Sequence, residues 1–338
     1  MPQTLNSARI AVLGSNSFIA SHFIAHALHH TDSTVLGISR SPELSPVFLP
    51  YAYKMSYPDR FQFKQIDINA EFTTLADALD NFHPDCVVNY AAQAEVRNSW
   101  KWPEQWYQTN CLSVVRLTEH LRQQNYLKKY IAISTPEVYG ATGVLVKESH
   151  HYHPSTPYAA SKLAGDAHLF ALHKNFDFPV AFTRAANVYG IHQQLFRIIP
   201  KTIISIKKGI KLPLHGGGKS RRAFIHAADT ADCTMRVLEQ GDIGEVYHIA
   251  PQTEPISIAE LVRLICTLMG KSFDDVVEVQ DENFGQDECF SMDASKAVEK
   301  MGWLPNVSLE KGLLETIAWI TDNWDFISKQ SLDYEHKR

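Results

Sequence analysis

The sequence predicts an α/β fold, a doubly wound parallel sheet covered by helices and followed by a smaller C-terminal region. Three observations carry that expectation. The apolar runs of the first 190 residues are continuous rather than alternating, as strands buried on both faces require. Amphipathic stretches of helix length separate them, which is the β-α-β rhythm of a parallel sheet. After residue 190 the texture changes to longer, turn-rich loops such as LPLHGGGKSRRAF at 212–224.

Taken in order, strands are expected at 9–14 (RIAVLG), 34–39 (TVLGIS), 61–67 (FQFKQID), 85–92 (DCVVNYAA), 128–134 (KKYIAIS) and 178–185 (FPVAFTRA). Helices are expected between them at 18–30, 71–82, about 104–124 and about 157–175. This order fits a Rossmann-type dinucleotide-binding domain over 1–190. Three further amphipathic helices are expected at 227–239, 257–269 and 308–324, within a mixed α/β substrate-binding region at 191–330 whose segments interleave with the first domain. The stretch 41–60, with four prolines and four aromatics, reads as an irregular excursion beside the cofactor.

Composition narrows the class. The chain has 338 residues, 45% hydrophobic and 20% charged, as an ordinary globular protein does. A formal charge of −5 with no strongly basic window leaves no footprint for nucleic acid or an anionic membrane. No apolar run approaches a membrane span, and residues 1–16 lack the pattern of a signal peptide. Five widely spaced cysteines, never in a C-x-x-C pair, are the pattern of reduced cytoplasmic thiols.

The motifs that bear chemistry sit at strand ends. VLGSNSFIASHF turns from strand into helix, the context for phosphate-binding amides at a helix N-terminus. Gly14 is kept from the glycine fingerprint, with Ser17 and Ala20 at the second and third glycine positions; Phe18 and Ile19 complete the loop. After the second strand, GISRS offers Ser39 and Arg40 and no carboxylate, which favours NADP over NAD unless Arg40 is only a surface cation. Asp67 and Ile68, after the third strand, are placed to meet the adenine.

STPEVYG, at 134–140, ends an apolar strand with hydroxyls, a proline and a carboxylate. Glu137 there is either a reactive base or a solvated loop residue. In STPYAASK, a hydroxyl cap and a proline start a helix, and Tyr158 and Lys162 stand four apart on one face. A nearby ammonium is expected to lower the tyrosine pKa towards working pH, giving a base for alcohol oxidation. HHYH (His150, His151, His153) has no carboxylate or cysteine spaced to complete a metal site and reads as solvated loop histidines.

Together these residues resemble the extended short-chain dehydrogenase/reductase family, in its nucleotide-sugar dehydratase and epimerase branch. NYAAQAEVRNSW resembles the family's Ala-Ala-Gln segment, followed downstream by Asn110; STPEVYG resembles its Ser-Thr-x-Glu-x-Tyr-Gly loop. TRAANVYGIHQ, GGGKSRRAFIHAAD and MDASKAVEKMGWLP resemble its Arg-x-x-Asn-x-Tyr-Gly, Arg-x-Phe-Ile-His and Asp-x-x-Lys…Gly-Trp-x-Pro stretches. The likeness spans nearly the whole chain.

The resemblance implies a nicotinamide that takes a hydride from C4 of a nucleotide-linked hexose and later returns it. Tyr158 would remove the C4 hydroxyl proton, Thr135 would bond the same oxygen, and Lys162 would hold the ribose. Ala91, Ala92, Gln93 and Asn110 would line or support the cofactor cleft; Arg97, Asn187, Lys201 and Arg222 would meet the substrate. Glu137 occupies the position of the base that takes the C5 proton in 4,6-dehydratases, which simple 4-epimerases leave without a carboxylate. A nucleotide-diphosphate-hexose 4,6-dehydratase is therefore the first reading, with a homodimer built on the helices near 104–124 and 157–175.

Three features depart from the pattern. Pro136 stands where dTDP-glucose dehydratases carry an aspartic acid that protonates the leaving hydroxyl; GDP-mannose dehydratases lack that acid and favour NADP. The late loop DENFGQDECF at 281–290 has no cation where the family has arginine, which weakens a decarboxylase reading. Arg97 and Asn98 replace other polar pairs. A nucleotide-sugar epimerase and a non-catalytic nicotinamide-binding protein remain as alternatives.

Overall fold

The computed structural model describes residues 7–140, 145–280 and 289–336. Seven strands form one parallel sheet: β1 (Arg9–Leu13), β2 (Thr34–Ser39), β3 (Phe61–Gln65), β4 (Cys86–Asn89), β5 (Lys129–Ile133), β6 (Val180–Ala185) and β7 (Val246–Ile249). Their spatial order is β7-β6-β5-β4-β1-β2-β3. Ile10 is in register with both Val35 and Cys86, so the chain reverses its direction of winding at β1. The crevice at the carboxyl ends of β1 and β4 is where such sheets receive a ligand.

Continuous apolar strands dictate two covered faces. On one, α1 (Phe18–His30) packs on α6 (Ala227–Gln240) around Phe23, Ile24, Cys233 and Trp303. On the other, α2 (Phe72–Phe82), α3 (Ser113–Leu121) and α4 (Pro157–Phe176) cover Leu75, Leu117, Tyr130, Leu169 and Phe178. A third core, containing Ile199, Ile203, Leu261, Leu313 and Trp319, joins α5 (Ile198–Lys208), α7 (Ile258–Leu268) and α8 (Leu309–Asp322). Ser257 and Glu260 start α7 with a capping box. Among the described residues no helix is long and apolar enough to cross a membrane.

Three elements differ from expectation. The seventh strand is absent from the sequence reading, because Val246–Ile249 is only four residues long and carries His248 within it. The single helix expected near 104–124 is three pieces: Pro103–Tyr107, a π turn at Gln108–Leu112, and α3. The wider turn holds Asn110 in the interior, which an unbroken α-helix of that register need not do. Helix α5 was not expected; Pro200 interrupts its apolar run but lies in the first turn, where proline removes no helical bond. The loop expected at 281–290 lies, except for the backbone of its last two residues, outside the described residues.

Candidate active site

The turn after β1 is shaped by backbone contact. Gly14 has φ +75°, and a Cβ there would stand 2.7 Å from the Ala91 nitrogen after β4. The strand-end loops thus approach closer than any other residue allows. Gly14 N donates to Ile38 O at 2.7 Å, and Ser17 caps α1 with its hydroxyl accepting from Ala20 N at 3.4 Å. Phe18 and Ala20 are buried and Ile19 half-buried in the first turn. Asn16 N donates to Ser39 Oγ at 3.0 Å, while the buried Asn16 Oδ1 has no hydrogen-bond partner in the protein. A helix N-terminus, a glycine cradle and an orphaned acceptor fit a dinucleotide with its phosphates and hydroxyls.

Other residues expected at the cofactor divide into lining and support. Arg40 is half-buried beyond β2, and the Ser39 hydroxyl is taken up by Asn16 and Ser15. Asp67 accepts from Asn69 N at 2.8 Å, shaping the turn after β3 with Ile68. Ala92 is exposed in the crevice and Ala91 half-buried. Asn110 points instead into the protein: its amide bonds Gln93 through both backbone groups and Ser161 Oγ at 2.9 Å. It therefore fixes the Gln93 backbone against α4.

The residues expected to react come together from the end of β5 and from α4. Thr156 caps α4 by accepting from Ala159 N at 3.1 Å, and Pro157 takes the first helical position. That start points Tyr158 back at the end of β5, where its hydroxyl pairs with Thr135. Glu137 N donates to Thr135 Oγ1 at 3.3 Å, so the three groups share one turn of chain and one helix end. Lys162 Nζ donates to Ile133 O at 2.7 Å.

The electrostatics correct one expectation. Burial raises the Tyr158 phenol above its ordinary value, the Glu137 charge raises it further, and the Thr135 bond and Arg197 charge pull it down. Lys162 is not among the groups that lower it; its ammonium is committed to Ile133, and burial lowers its own pKa against the charge of Asp166. In the protein alone, burial and the Glu137 charge thus work against a lowered Tyr158 pKa.

The residues expected at the substrate lie on four separate elements. Arg97 is exposed on the short helix Val96–Ser99, and Asn187 is exposed on the strand Asn187–Tyr189. Lys201 on α5 lies 4.0 Å from Asp333, and half-buried Arg222 lies on the strand Arg221–Arg222. Arg197, the residue just before α5, was missed from sequence, although its charge acts on both Tyr158 and Tyr334. The C-terminal stretch was also missed: Tyr334 packs on Phe196, and His336 stacks on Trp102 and Trp106 with ring centroids 4.7 and 5.3 Å away. Only a cation before an apolar helix, FRIIP, signalled Arg197. Among the described residues no group of three or more His, Cys, Asp or Glu is placed to hold a metal.

With this geometry in view, the likeness to known proteins is specific. The chain is 29% identical to a dTDP-glucose 4,6-dehydratase of Haemophilus influenzae, over 93% of this chain and 98% of the relative. A dTDP-glucose 4,6-dehydratase of Streptomyces venezuelae, solved with NAD bound, superposes with a TM-score of 0.85 at 27% identity, covering 94% and 98% of the two chains. A UDP-glucuronic acid 4-epimerase of Bacillus cereus, solved with UDP-glucuronic acid and NAD, superposes at 0.83 with 29% identity, covering 93% and 99%. Both solved structures pair NAD with this fold. The profile of the GDP-mannose 4,6-dehydratase family matches residues 12–316, and the chain belongs to that family.

Proposed function

We propose that the protein is a nucleotide-diphosphate-hexose 4,6-dehydratase in which Tyr158, Thr135 and Glu137 act on the sugar and Lys162 holds the cofactor ribose. The observation that carries this reading is the carboxylate of Glu137, one turn from Thr135 and close enough to raise the Tyr158 pKa. A bound oxidised nicotinamide supplies the hydride acceptor for C4 and afterwards the donor for C6. Tyr158 takes the proton of the C4 hydroxyl, with Thr135 holding the same oxygen. The resulting 4-keto group acidifies C5–H, and Glu137 removes that proton. Pro136 carries no proton to give, so Glu137 passes the proton it has taken to the departing C6 hydroxyl. The C5–H and C6–O bonds break, a C5=C6 double bond forms and water leaves; when C6 accepts the hydride that double bond is lost and C5 takes a proton from solvent.

Around that centre, Gly14, Ser17 and the start of α1 would hold the cofactor phosphates. Arg40, with no carboxylate between Gly37 and Ser41, supports NADP as the preferred form, with NAD as the alternative. Arg97, Asn187, Lys201, Arg222 and Arg197 would face a nucleotide-diphosphate sugar. Association as a homodimer through α3 and α4 is part of this reading, supported by Leu112, 51% exposed just before α3.

The test is mass spectrometry of the protein incubated with NADP or NAD and a panel of GDP-, UDP-, dTDP- and CDP-hexoses. Loss of one water to a 4-keto product, abolished in Glu137→Gln while C4 oxidation persists, is the expected result. The likeness to the 4-epimerase favours a second reading. Under it, product mass would be unchanged and sugar configuration altered.

A further inference from the structure

Tyr158, Lys162 and Asp166 recur every fourth residue and lie along one stripe of α4. Lys162 and Asp166 grip adjacent residues at the end of β5: Lys162 donates to Ile133 O at 2.7 Å, and Ser134 Oγ donates to Asp166 Oδ2 at 2.5 Å. Thr135 comes next in the chain. Behind Asp166 lies Arg184 of β6, fully buried, whose Nη2 donates to the same carboxylate oxygen at 3.1 Å. Its Nη1 donates to the Tyr139 hydroxyl at 2.6 Å, and its Nε to Ser134 Oγ at 3.4 Å.

The placement of those contacts is informative. Ser134 precedes the 3-10 turn Pro136–Tyr139 that carries Glu137, and Tyr139 ends it. One buried cation therefore holds both ends of that turn, while its anion holds the helix that bears Tyr158. The Tyr139 and Tyr152 rings flank the guanidinium at 4.8 and 5.0 Å, and His248 of β7 meets the Tyr139 hydroxyl at 2.8 Å.

We propose that Asp166 and Arg184 are positioning residues of the reaction, a buried pair that sets Thr135 and Glu137 against Tyr158 and Lys162. This rests on the dehydratase reading of the site. A buried ion pair adds little net stability, because desolvation offsets its attraction. What a fully bonded network supplies is a fixed geometry. Misplacing a reacting group by about 1 Å can cost ~100-fold in rate. The Asp166 charge also raises the pKa of both Lys162 and Tyr158, while Arg184 opposes it at Lys162 and Arg197 opposes it at Tyr158. Glu137 acts on Tyr158 in the same direction as Asp166, and Tyr139, Tyr152 and His248 face Arg184.

Two variants test the proposal. Ser134→Ala removes two hydrogen bonds, to Asp166 and from Arg184, and no charge; kcat is expected to fall ~10-fold with KM within about twofold and the melting temperature nearly unchanged, and Ser134→Thr restores the rate. Asp166→Asn keeps the shape and removes the charge. Its kcat is expected to fall ~100-fold, with both limbs of the pH profile displaced to lower pH. Wild-type rates with an unmoved pH profile would overturn the proposal. So would an activity loss that only tracks the loss of folded protein. Water loss by the unaltered protein decides the dehydratase reading separately, and the variant ratios are taken on whichever product it forms.

Discussion

The turns after β1 and after β5 open on the same edge of one sheet, yet they are held by opposite means. The β1 turn is fixed by backbone: Gly14 at φ +75°, a peptide of the β4 loop 2.7 Å from where a Cβ would be, and small hydroxyl side chains. The β5 turn is fixed by buried charge, with Arg184 and Asp166 reaching it from two other elements. The first turn owes its shape to its own small residues, whose amides bond Ile38 O and Ser39 Oγ. A turn that presents side chains for proton transfer can be braced from behind.

The largest test of that contrast is Tyr158→Phe, which leaves both turns in place and removes the reacting hydroxyl. Turnover should fall ~1000-fold while cofactor binding, followed by fluorescence quenching, stays near wild type. Gly14→Ala strikes the other turn: a side chain in left-handed backbone against a peptide should cost ~2 kcal/mol, appearing as weaker cofactor binding, with the β5 turn intact. His248→Gln probes the brace through pH. His248 is held down to about 3, by burial first and by Arg184 second, so the folded protein lacks a proton that the unfolded chain binds below its ordinary 6.5. Stability is therefore lost as pH falls from about 6.5 towards 4. In His248→Gln that loss, measured by thermal melts, should shrink without vanishing, because His22 is likewise held down to about 3. Smallest is Ser17→Ala, whose long capping bond of 3.4 Å should be worth only ~0.5 kcal/mol in the melt.

The same contrast governs what could be read from the chain. Continuous apolar runs disclose β1, β4 and β6 because burial on both faces keeps residues 10–13, 86–88 and 180–182 apolar. The Gly14 turn and the Tyr158–Lys162 pair are local patterns and are legible for that reason. The brace is not local: Arg184 and Tyr139 are 45 residues apart, and Tyr139 and His248 are 109 apart. Only the fourfold spacing of Asp166 from Lys162 hinted at it. Asn110 was placed at the cofactor by resemblance, whereas the π turn directs its amide to Gln93 and Ser161. The C-terminal stretch near Arg40 and Arg197 has no pattern of its own and depends on distant partners.

The late arrival of β7 has a consequence for how the protein is made. During synthesis the first six strands exist once residue 185 has left the ribosome, and the β1 turn then has every partner it needs, from β2 and β4. The Glu137 turn has Asp166 and Arg184 by then, but His248 is still to come. Domains fold as their segments become available. A nascent chain of that length therefore has the backbone partners of its β1 turn, while α1 still lacks α6 and the Glu137 turn still lacks His248.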